Sequence, residues 1–160
     1  MENKTNFTQS VTGIVIENNK VLLVRHTYGA GKDMLVVPGG YVDFGESPAD
    51  AVRREYLEET KILVEAKEII GIRFNMHDWY IAFRAKYISG EAKSDGDENS
   101  EVLWLDVHEA LSRDDVAPLS KRLIESAISP ASGLTKCNDY TEREKYAPYS
   151  FYSASGCAED

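Results

Sequence analysis

The first forty residues alternate short apolar runs with turns. Residues 11–17 and 20–25 are rich in β-branched and aliphatic side chains, and Asn18-Asn19 separates them. This pattern is typical of a strand, a tight turn and a returning strand. A third apolar run, residues 35–37, stops at the glycines that follow Pro38. The pattern therefore predicts three short strands ahead of residue 40.

One helix in the middle of the chain has clear boundaries. Ser47 suits the N-cap, Pro48 suits the first helical position, and Asp50 places negative charge near the positive end of the helix dipole. The helix should run to residue 59 or 60. Further predicted strands are residues 62–75, 79–88 and 102–105, and further predicted helices are residues 107–113 and 118–128. Because strands outnumber helices and one central helix follows a Pro-Gly-Gly turn, we expect an α+β or α/β sandwich with a mixed sheet.

The composition of the chain changes after residue 129. The 160 residues are enough for one domain with a proper core. Residues 131–160 are polar yet contain several tyrosines, whereas disordered tails are usually poor in aromatic residues. We predict a domain at residues 1–130 and a Tyr-rich C-terminal extension at residues 131–160, packed on the domain or partly mobile.

Charge and hydropathy exclude several function classes. The net charge of −9 argues against broad nucleic-acid binding, which requires a cationic surface. No apolar run approaches the ~20 residues that cross a bilayer, and the first residues lack the apolar segment of a signal peptide. We expect a cytoplasmic protein with neither membrane nor nucleic acid as a partner. Free thiols are expected at Cys137 and Cys157, with a disulfide as the alternative.

Acidic side chains are crowded in residues 40–62. Glu55, Glu58 and Glu59 stand at helical i, i+3 and i+4 spacing, where like charges repel by a few tenths of a kcal/mol per pair. A solvated acidic helix face is one interpretation. The preceding glycine turn and the additional acid Glu46 favour another, in which grouped carboxylates bind a hard divalent cation such as Mg²⁺ beside substrate phosphates.

The same stretch resembles the Nudix box. The positions that match its pattern are Gly40, Glu46, Arg54-Glu55, Glu58-Glu59 and Ile62. Every charged position stands at the expected spacing, and the resemblance covers about residues 8–128. It implies a Nudix fold of the α+β class, an α/β/α sandwich around a mixed central sheet, with the loop and helix of the box at residues 40–62.

Three residues depart from the family pattern. Lys61 replaces the usual glycine at the helix end, where a left-handed conformation is common. Tyr56 replaces an aliphatic residue in an apolar position. Leu35 stands where many members have tryptophan, so no substrate can be inferred from that position.

The resemblance implies metal-dependent hydrolysis of a phosphoanhydride. Glu55, Glu58 and Glu59 would bind Mg²⁺ or Mn²⁺, and the carbonyl of Gly39 or Gly40 would complete the set of ligands. Metal-activated water would attack one phosphorus of the pyrophosphate, and most of the catalysis would come from charge compensation and alignment.

The residue that accepts the proton from water is left open by the resemblance, because family members differ. The candidates are Glu55 and, in the polar acidic segment at residues 89–101, Glu98 and Glu101; the alternative for the last two is a solvated loop. Arg54 is expected to pair with Glu46 and hold it bidentately.

Substrate contacts are harder to place. Arg25 and Arg73 are candidates for phosphate, because a guanidinium matches phosphate bidentately. Candidates for stacking on a base are Tyr28, Phe74, Trp79 and Tyr80. The alternative for each of these residues is an ordinary core or surface position.

Several function classes compete within the resemblance. The retained glutamates favour an enzyme acting on ADP-ribose, NADH or a sugar nucleotide, and the opening PGGYVDFGE is similar to that group. The alternatives are a nucleoside triphosphate (oxidised dGTP) pyrophosphohydrolase and a non-catalytic ligand sensor, whereas the acidic charge balance disfavours RNA decapping. The resemblance also implies a homodimer.

Overall fold

The computed structural model describes residues 8–155. Strands and helices alternate along this part of the chain. In order they are β1 (Thr8–Glu17), β2 (Lys20–His26), β3 (Leu35–Val36), β4 (Gly39–Tyr41), α1 (Pro48–Thr60), β5 (Leu63–Phe74), β6 (Asp78–Ser89), β7 (Asn99–Asp106), α2 (Val107–Ser112), α3 (Pro118–Ile128), β8 (Thr135–Lys136), a 3₁₀ turn (Glu144–Tyr146) and β9 (Tyr152–Ser153). None of these helices is long and apolar enough to cross a membrane.

Strand β1 lies at the centre of a seven-stranded mixed sheet. It runs parallel to β6 and antiparallel to β2 and β4. The antiparallel β5–β6 hairpin extends the sheet on one side, and β3 and β7 pair with β2 on the other. The predicted mixed sheet is thereby confirmed.

Two apolar cores lie on opposite faces of the sheet. On one face, Val11 and Val15 of β1 pack with Val52 and Tyr56 of α1. On the other face, Ile14 packs with residues of α2 and α3. Because side chains alternate along a strand, β1 contributes buried side chains to both faces of the sheet. The predicted α/β/α sandwich is confirmed.

Tyr56 fits its apolar position because its hydroxyl has a partner. The side chain is completely buried, and the hydroxyl donates a hydrogen bond to the carbonyl of Gly13 on β1. Gly13 leaves the necessary space, since a Cβ there would lie 2.8 Å from Cγ1 of Val52. Tyrosine in place of an aliphatic residue at this position therefore adds a hydrogen bond between α1 and the central strand.

The start of α1 agrees with its sequence signals. The Ser47 hydroxyl accepts from the Asp50 amide at 3.2 Å and donates to the Asp50 carboxylate at 2.8 Å. At the other end, Lys61 adopts the left-handed conformation, with φ of 64°. Its amide donates to the Leu57 carbonyl at 3.1 Å, and its Nζ donates to the Glu58 carbonyl at 2.9 Å. The geometry normally supplied by glycine is therefore kept by lysine.

The sequence pattern missed parts of two strands. Strand β4 was not predicted, because two of its three residues are glycines, which are poor strand formers. Strand β7 begins at Asn99 instead of residue 102, so the acidic loop comprises residues 90–98. Polar residues at its start pair with the end of β2 across a β-bulge, and this long-range pairing has no local sequence signal.

The described part of the C-terminal extension contacts the domain. Leu134 and Ile69 exchange two backbone hydrogen bonds of 2.9 and 3.0 Å. The Gly133 amide donates to the Glu68 carboxylate at 2.8 Å, and the ring of Tyr152 packs edge-on against Phe83, with centroids 5.8 Å apart. The extension therefore covers part of the β5–β6 hairpin.

The expectation of free thiols is wrong for Cys137, which is disulfide-bonded. The extension turns back on itself, so that the Cys137 amide donates to the Phe151 carbonyl at 2.8 Å. Such a reversal brings distant residues together without a local signal in the sequence. Cys157 lies outside the described residues.

The left-handed Lys61 generates a stability prediction. Lys61→Gly removes a backbone cost of about 1 kcal/mol, and we expect the melting temperature to rise by roughly 2–4 °C. Lys61→Ala is the matched control, because it loses the Nζ contact but keeps the unfavourable backbone. Thermal melting of all three proteins tests this, and equal melting temperatures for the two variants would contradict it.

Candidate active site

The three glutamates of α1 lie in different environments. Glu59 is only 4% exposed, and the side chains of Glu55 and Glu58 are 12% and 60% exposed. We call these three residues the carboxylate cluster. A uniformly solvated acidic face, the alternative left open by the sequence, does not describe Glu55 or Glu59.

The glycine turn before α1 allows the carboxylates of Glu55 and Glu59 to approach the backbone. The Gly39 amide donates to Oε1 of Glu59 at 3.3 Å. A Cβ on Gly40 would lie 2.3 Å from Oε1 of Glu55, so any other residue would displace that carboxylate. The hydroxyl of Thr12 fixes the turn by donating to the Pro38 carbonyl at 2.6 Å.

Arg54 connects the turn to the carboxylate cluster. Its Nε and Nη2 donate to the two oxygens of Glu46 at 2.8 and 3.0 Å, which is the predicted bidentate pair. Its Nη1 also donates to Glu55 at 2.9 Å and to Glu58 at 3.2 Å. The hydrogen bond from Arg54 lowers the pKa of Glu46. One guanidinium therefore orients three carboxylates.

Glu59 carries the most strongly perturbed carboxyl group of the site. Burial raises its pKa to about 8, the neighbouring Glu55 adds to the rise, and the Gly39 amide opposes it. Its Oε2 is buried, and no hydrogen-bond donor reaches it from residues 8–155. A buried carboxylate oxygen without a partner is unfavourable unless a donor or a cation is supplied.

The chemistry of the carboxylate cluster fits a hard divalent cation. Carboxylate oxygens are the ligands that Mg²⁺ and Mn²⁺ prefer, and Oε2 of Glu59 has no hydrogen-bond partner in the described part of the chain. Within residues 8–155, no three Asp, Glu, His or Cys side chains converge closely enough to hold a metal. One oxygen of Glu55 and one of Glu58 instead accept hydrogen bonds from Arg54.

Asn99 ties the acidic loop to the end of α1. This completely buried residue donates from Nδ2 to the Glu59 carbonyl at 2.9 Å. Its own amide, like that of Asp97, donates to Oδ1 of Asp95. The carboxylates of Glu98 and Asp95 consequently lie near enough to raise the pKa of Glu59.

The two candidate bases outside the box therefore have different surroundings. The charge of Glu98 raises the pKa of both Glu55 and Glu59. Glu101 instead forms an ion pair with Arg25 at 2.9 Å. Among the described residues, no hydrogen bond or ion pair joins Glu101 to the carboxylate cluster.

Both candidate phosphate-binding arginines have partners in the protein. Besides Glu101, Arg25 contacts Asp115 at 3.1 Å and donates to the Asp33 carbonyl at 2.8 Å. Arg73 pairs with Asp78 at 3.0 Å and lies over the ring of Tyr80. A phosphate would have to compete with these carboxylates for either arginine.

Sequence reasoning missed Asn99 and Thr27 at this site. The Thr27 hydroxyl donates to the Asp97 carbonyl at 2.7 Å, and its amide donates to the Glu98 carbonyl at 3.2 Å. Both residues act through backbone carbonyls, Asn99 through that of Glu59 in α1 and Thr27 through those of Asp97 and Glu98 in the acidic loop. Such contacts do not depend on motif spacing, so the sequence offered no signal for them.

A family model for the NUDIX domain matches residues 7–127. An ADP-ribose pyrophosphatase of Methanocaldococcus jannaschii is 32% identical, over 62% of this chain and 62% of that protein. A Vibrio atlanticus protein named NAD-capped RNA hydrolase NudC is 34% identical, over 71% of this chain and 43% of its own length. A putative 8-oxo-dGTP diphosphatase of Bacillus subtilis is 35% identical, over 62% of this chain and 66% of its own length. The chain thus spans less than two thirds of each of these relatives.

Solved structures agree with the fold. A NUDIX hydrolase from Nitrosomonas europaea is 25% identical, with a TM-score of 0.68 over 77% of this chain and 73% of that chain. A MutT NUDIX hydrolase from Burkholderia pseudomallei is 19% identical, with a TM-score of 0.67 over 74% of this chain and 96% of its own. At 19% identity, the similarity to the Burkholderia pseudomallei structure concerns the fold alone.

The raised pKa of Glu59 predicts how stability depends on pH. Folded Glu59 retains its proton up to pH of about 8, whereas the unfolded chain releases it near the ordinary value of 4.5. Between these values the folded state binds more protons, so in a metal chelator this residue should make stability fall as pH rises.

Glu59→Gln isolates the contribution of Glu59 to the pH dependence of stability, because glutamine keeps the shape of the side chain and cannot titrate. Urea unfolding at about pH 5 and about pH 8 should show a larger loss of stability for the natural protein than for the variant. An equal loss in both proteins would contradict the assignment.

Proposed function

Because this chain belongs to the Nudix hydrolase family, we propose that it hydrolyses the pyrophosphate of a nucleoside diphosphate linked to another group. The substrate class is ADP-ribose, NADH or a sugar nucleotide, with Mg²⁺ or Mn²⁺ as cofactor. The relative named ADP-ribose pyrophosphatase supports this choice.

The observation that carries the proposal is the buried Glu59 carboxyl beside Glu55. Burying such groups together is costly, and Oε2 of Glu59 has no donor among the described residues. A protein that only recognised a nucleotide would gain nothing from this arrangement. A hydrolase gains a site for a cation, which is why we favour the enzyme over the ligand sensor.

The residues of the chain have distinct proposed roles. Glu55, Glu58 and Glu59 would hold the metal, with the carbonyl of Gly39 or Gly40 as a further ligand. When bound, a divalent cation compensates phosphate charge and lowers the pKa of water. Within the protein, the Gly39 amide fixes one oxygen of Glu59.

Arg54 and the candidate bases complete the proposed machinery. Arg54 orients Glu55 and Glu58 through its hydrogen bonds. The proposed proton acceptors are Glu55, a member of the carboxylate cluster, and Glu98, whose charge raises the pKa of Glu59. Glu101 is the weaker candidate, because its carboxylate is paired with Arg25.

A nucleoside triphosphate pyrophosphohydrolase is the second candidate, supported by the relative named putative 8-oxo-dGTP diphosphatase. The net charge of −9 disfavours a capped RNA, because a polynucleotide would be repelled over most of the surface. The products separate the two candidates. Cleavage of ADP-ribose gives AMP and ribose 5-phosphate, whereas a triphosphate gives a nucleoside monophosphate and pyrophosphate.

The decisive experiment measures metal dependence together with Glu58→Gln. Glu58 is the most exposed member of the carboxylate cluster, so the variant should fold normally. We expect turnover of ADP-ribose to require Mg²⁺ or Mn²⁺ and to fall at least ~10²-fold in the variant. Product release is measured by chromatography, with melting temperature as a check on folding.

Glu125→Gln on α3 is the matched control. It removes an exposed helical glutamate that also pairs with an arginine, Arg122, at 3.1 Å. The control should retain full turnover. Unchanged turnover in Glu58→Gln, or full activity in excess chelator, would refute the proposed role of the carboxylate cluster.

We also propose that the protein forms a homodimer. Ile72 and Phe74 are exposed on β5, which is the edge strand of the sheet, and exposed apolar edges favour association. Size-exclusion chromatography with light scattering should give the dimer mass, and Ile72→Glu should shift it toward the monomer. A monomeric natural protein would contradict this proposal.

A further inference from the structure

Tyr28 is an exposed aromatic ring with a rigid support. Its ring stacks on that of His26, with centroids 5.6 Å apart and planes inclined by 11°. Tyr28 nevertheless remains 54% exposed. One face of the ring is thus covered by His26, which leaves the exposed area for another planar group.

The loop that carries Tyr28 is closed by its own backbone hydrogen bonds. The Asp33 amide donates to the His26 carbonyl at 2.9 Å, and the Lys32 amide donates to the Gly29 carbonyl at 3.2 Å. Gly29 has φ of +74°, a conformation that suits glycine. The ring is therefore presented by an ordered turn.

Two hydrogen-bonded links connect this turn to the carboxylate cluster. Thr27, which precedes Tyr28, is bound to the backbone of Asp97 and Glu98 in the acidic loop. Asn99, at the end of that loop, is bound to the Glu59 carbonyl. The turn that carries Tyr28 is thereby tied, through the acidic loop, to the end of α1 at Glu59.

Electrostatics agree with this placement. Partial burial raises the pKa of the Tyr28 hydroxyl, and the charges of Glu98, Glu59 and Glu55 raise it further. Phosphate groups are repelled by these carboxylates unless a cation lies between them. An uncharged planar ring carries no such penalty, so a nucleobase is the part of a nucleotide that suits Tyr28.

The other aromatic candidates belong to β5 and β6 and pack against neighbouring side chains there. Phe74 and Trp79 pack edge-to-face with each other, with centroids 5.4 Å apart. The ring of Tyr80 is covered by the Arg73 guanidinium at 5.3 Å. Of the four aromatic residues considered for stacking, Tyr28 combines an exposed ring with a link to the carboxylate cluster.

We propose that the stacked pair Tyr28–His26 is the surface on which the nucleobase of the substrate lies. This inference rests on the proposed function, because it assumes a nucleotide bound at the carboxylate cluster. Stacking of a base on an aromatic side chain contributes about 1–3 kcal/mol and tolerates different bases. Tyr28 would then act on binding and leave the chemical step to the carboxylate cluster.

Binding of AMP and of ribose 5-phosphate, measured by calorimetry in Mg²⁺, tests the inference. Ribose 5-phosphate is AMP without its base. Tyr28→Ala should weaken AMP binding by ~10-fold or more and leave ribose 5-phosphate binding unchanged. Tyr28→Phe keeps the ring and should bind AMP as the natural protein does. Tyr140→Ala, which removes another exposed tyrosine, should have no effect.

Three results would overturn the inference. The first is unchanged AMP binding in Tyr28→Ala, and the second is an equal loss for AMP and ribose 5-phosphate. The third is a natural protein that binds none of AMP, GMP and UMP. The proposed function fails separately: a protein that binds AMP through Tyr28 but hydrolyses no nucleotide pyrophosphate would keep the stacking surface and lose the reaction.

Discussion

Burial of the Glu59 carboxylate against the Gly39 amide is the constraint on which the rest of the site depends. It requires α1 to lie so close to the glycine turn that a side chain on Gly40 would collide with Glu55. The hydrogen bond from Tyr56 to Gly13 and the packing of Val52 hold the helix at that distance. The core and the site are consequently parts of one packing arrangement.

The negative charges of the carboxylate cluster are only partly compensated by other groups of the protein. Arg54 donates hydrogen bonds to three carboxylates, but none of these hydrogen bonds reaches Glu59. Functional sites often retain groups that reduce stability, because the ligand supplies the missing interaction. Glu59 fits that description better than Glu55, whose Oε1 accepts a hydrogen bond from Arg54.

The sequence predicted those features that depend on residues close together in the chain. The Ser47 cap, the extent of α1 and the pairing of Arg54 with Glu46 all follow from local spacing. The links from Asn99 and Thr27 to backbone carbonyls did not, because any polar residue could occupy those positions. The pairing of Glu101 with Arg25 depends on strand register, which is fixed by the whole sheet. The bonded state of Cys137 depends on how the extension folds back.

The central position of β1 also affects how the protein can fold. The parallel partner of this strand is β6, so that Thr8 lies opposite Asp78. A large loop must therefore close before the middle of the sheet can form, and such non-local pairing slows folding. During synthesis on the ribosome, β1, β4 and α1 emerge before β6 exists. The glycine turn and α1 thus acquire their full support only when β6 pairs with β1.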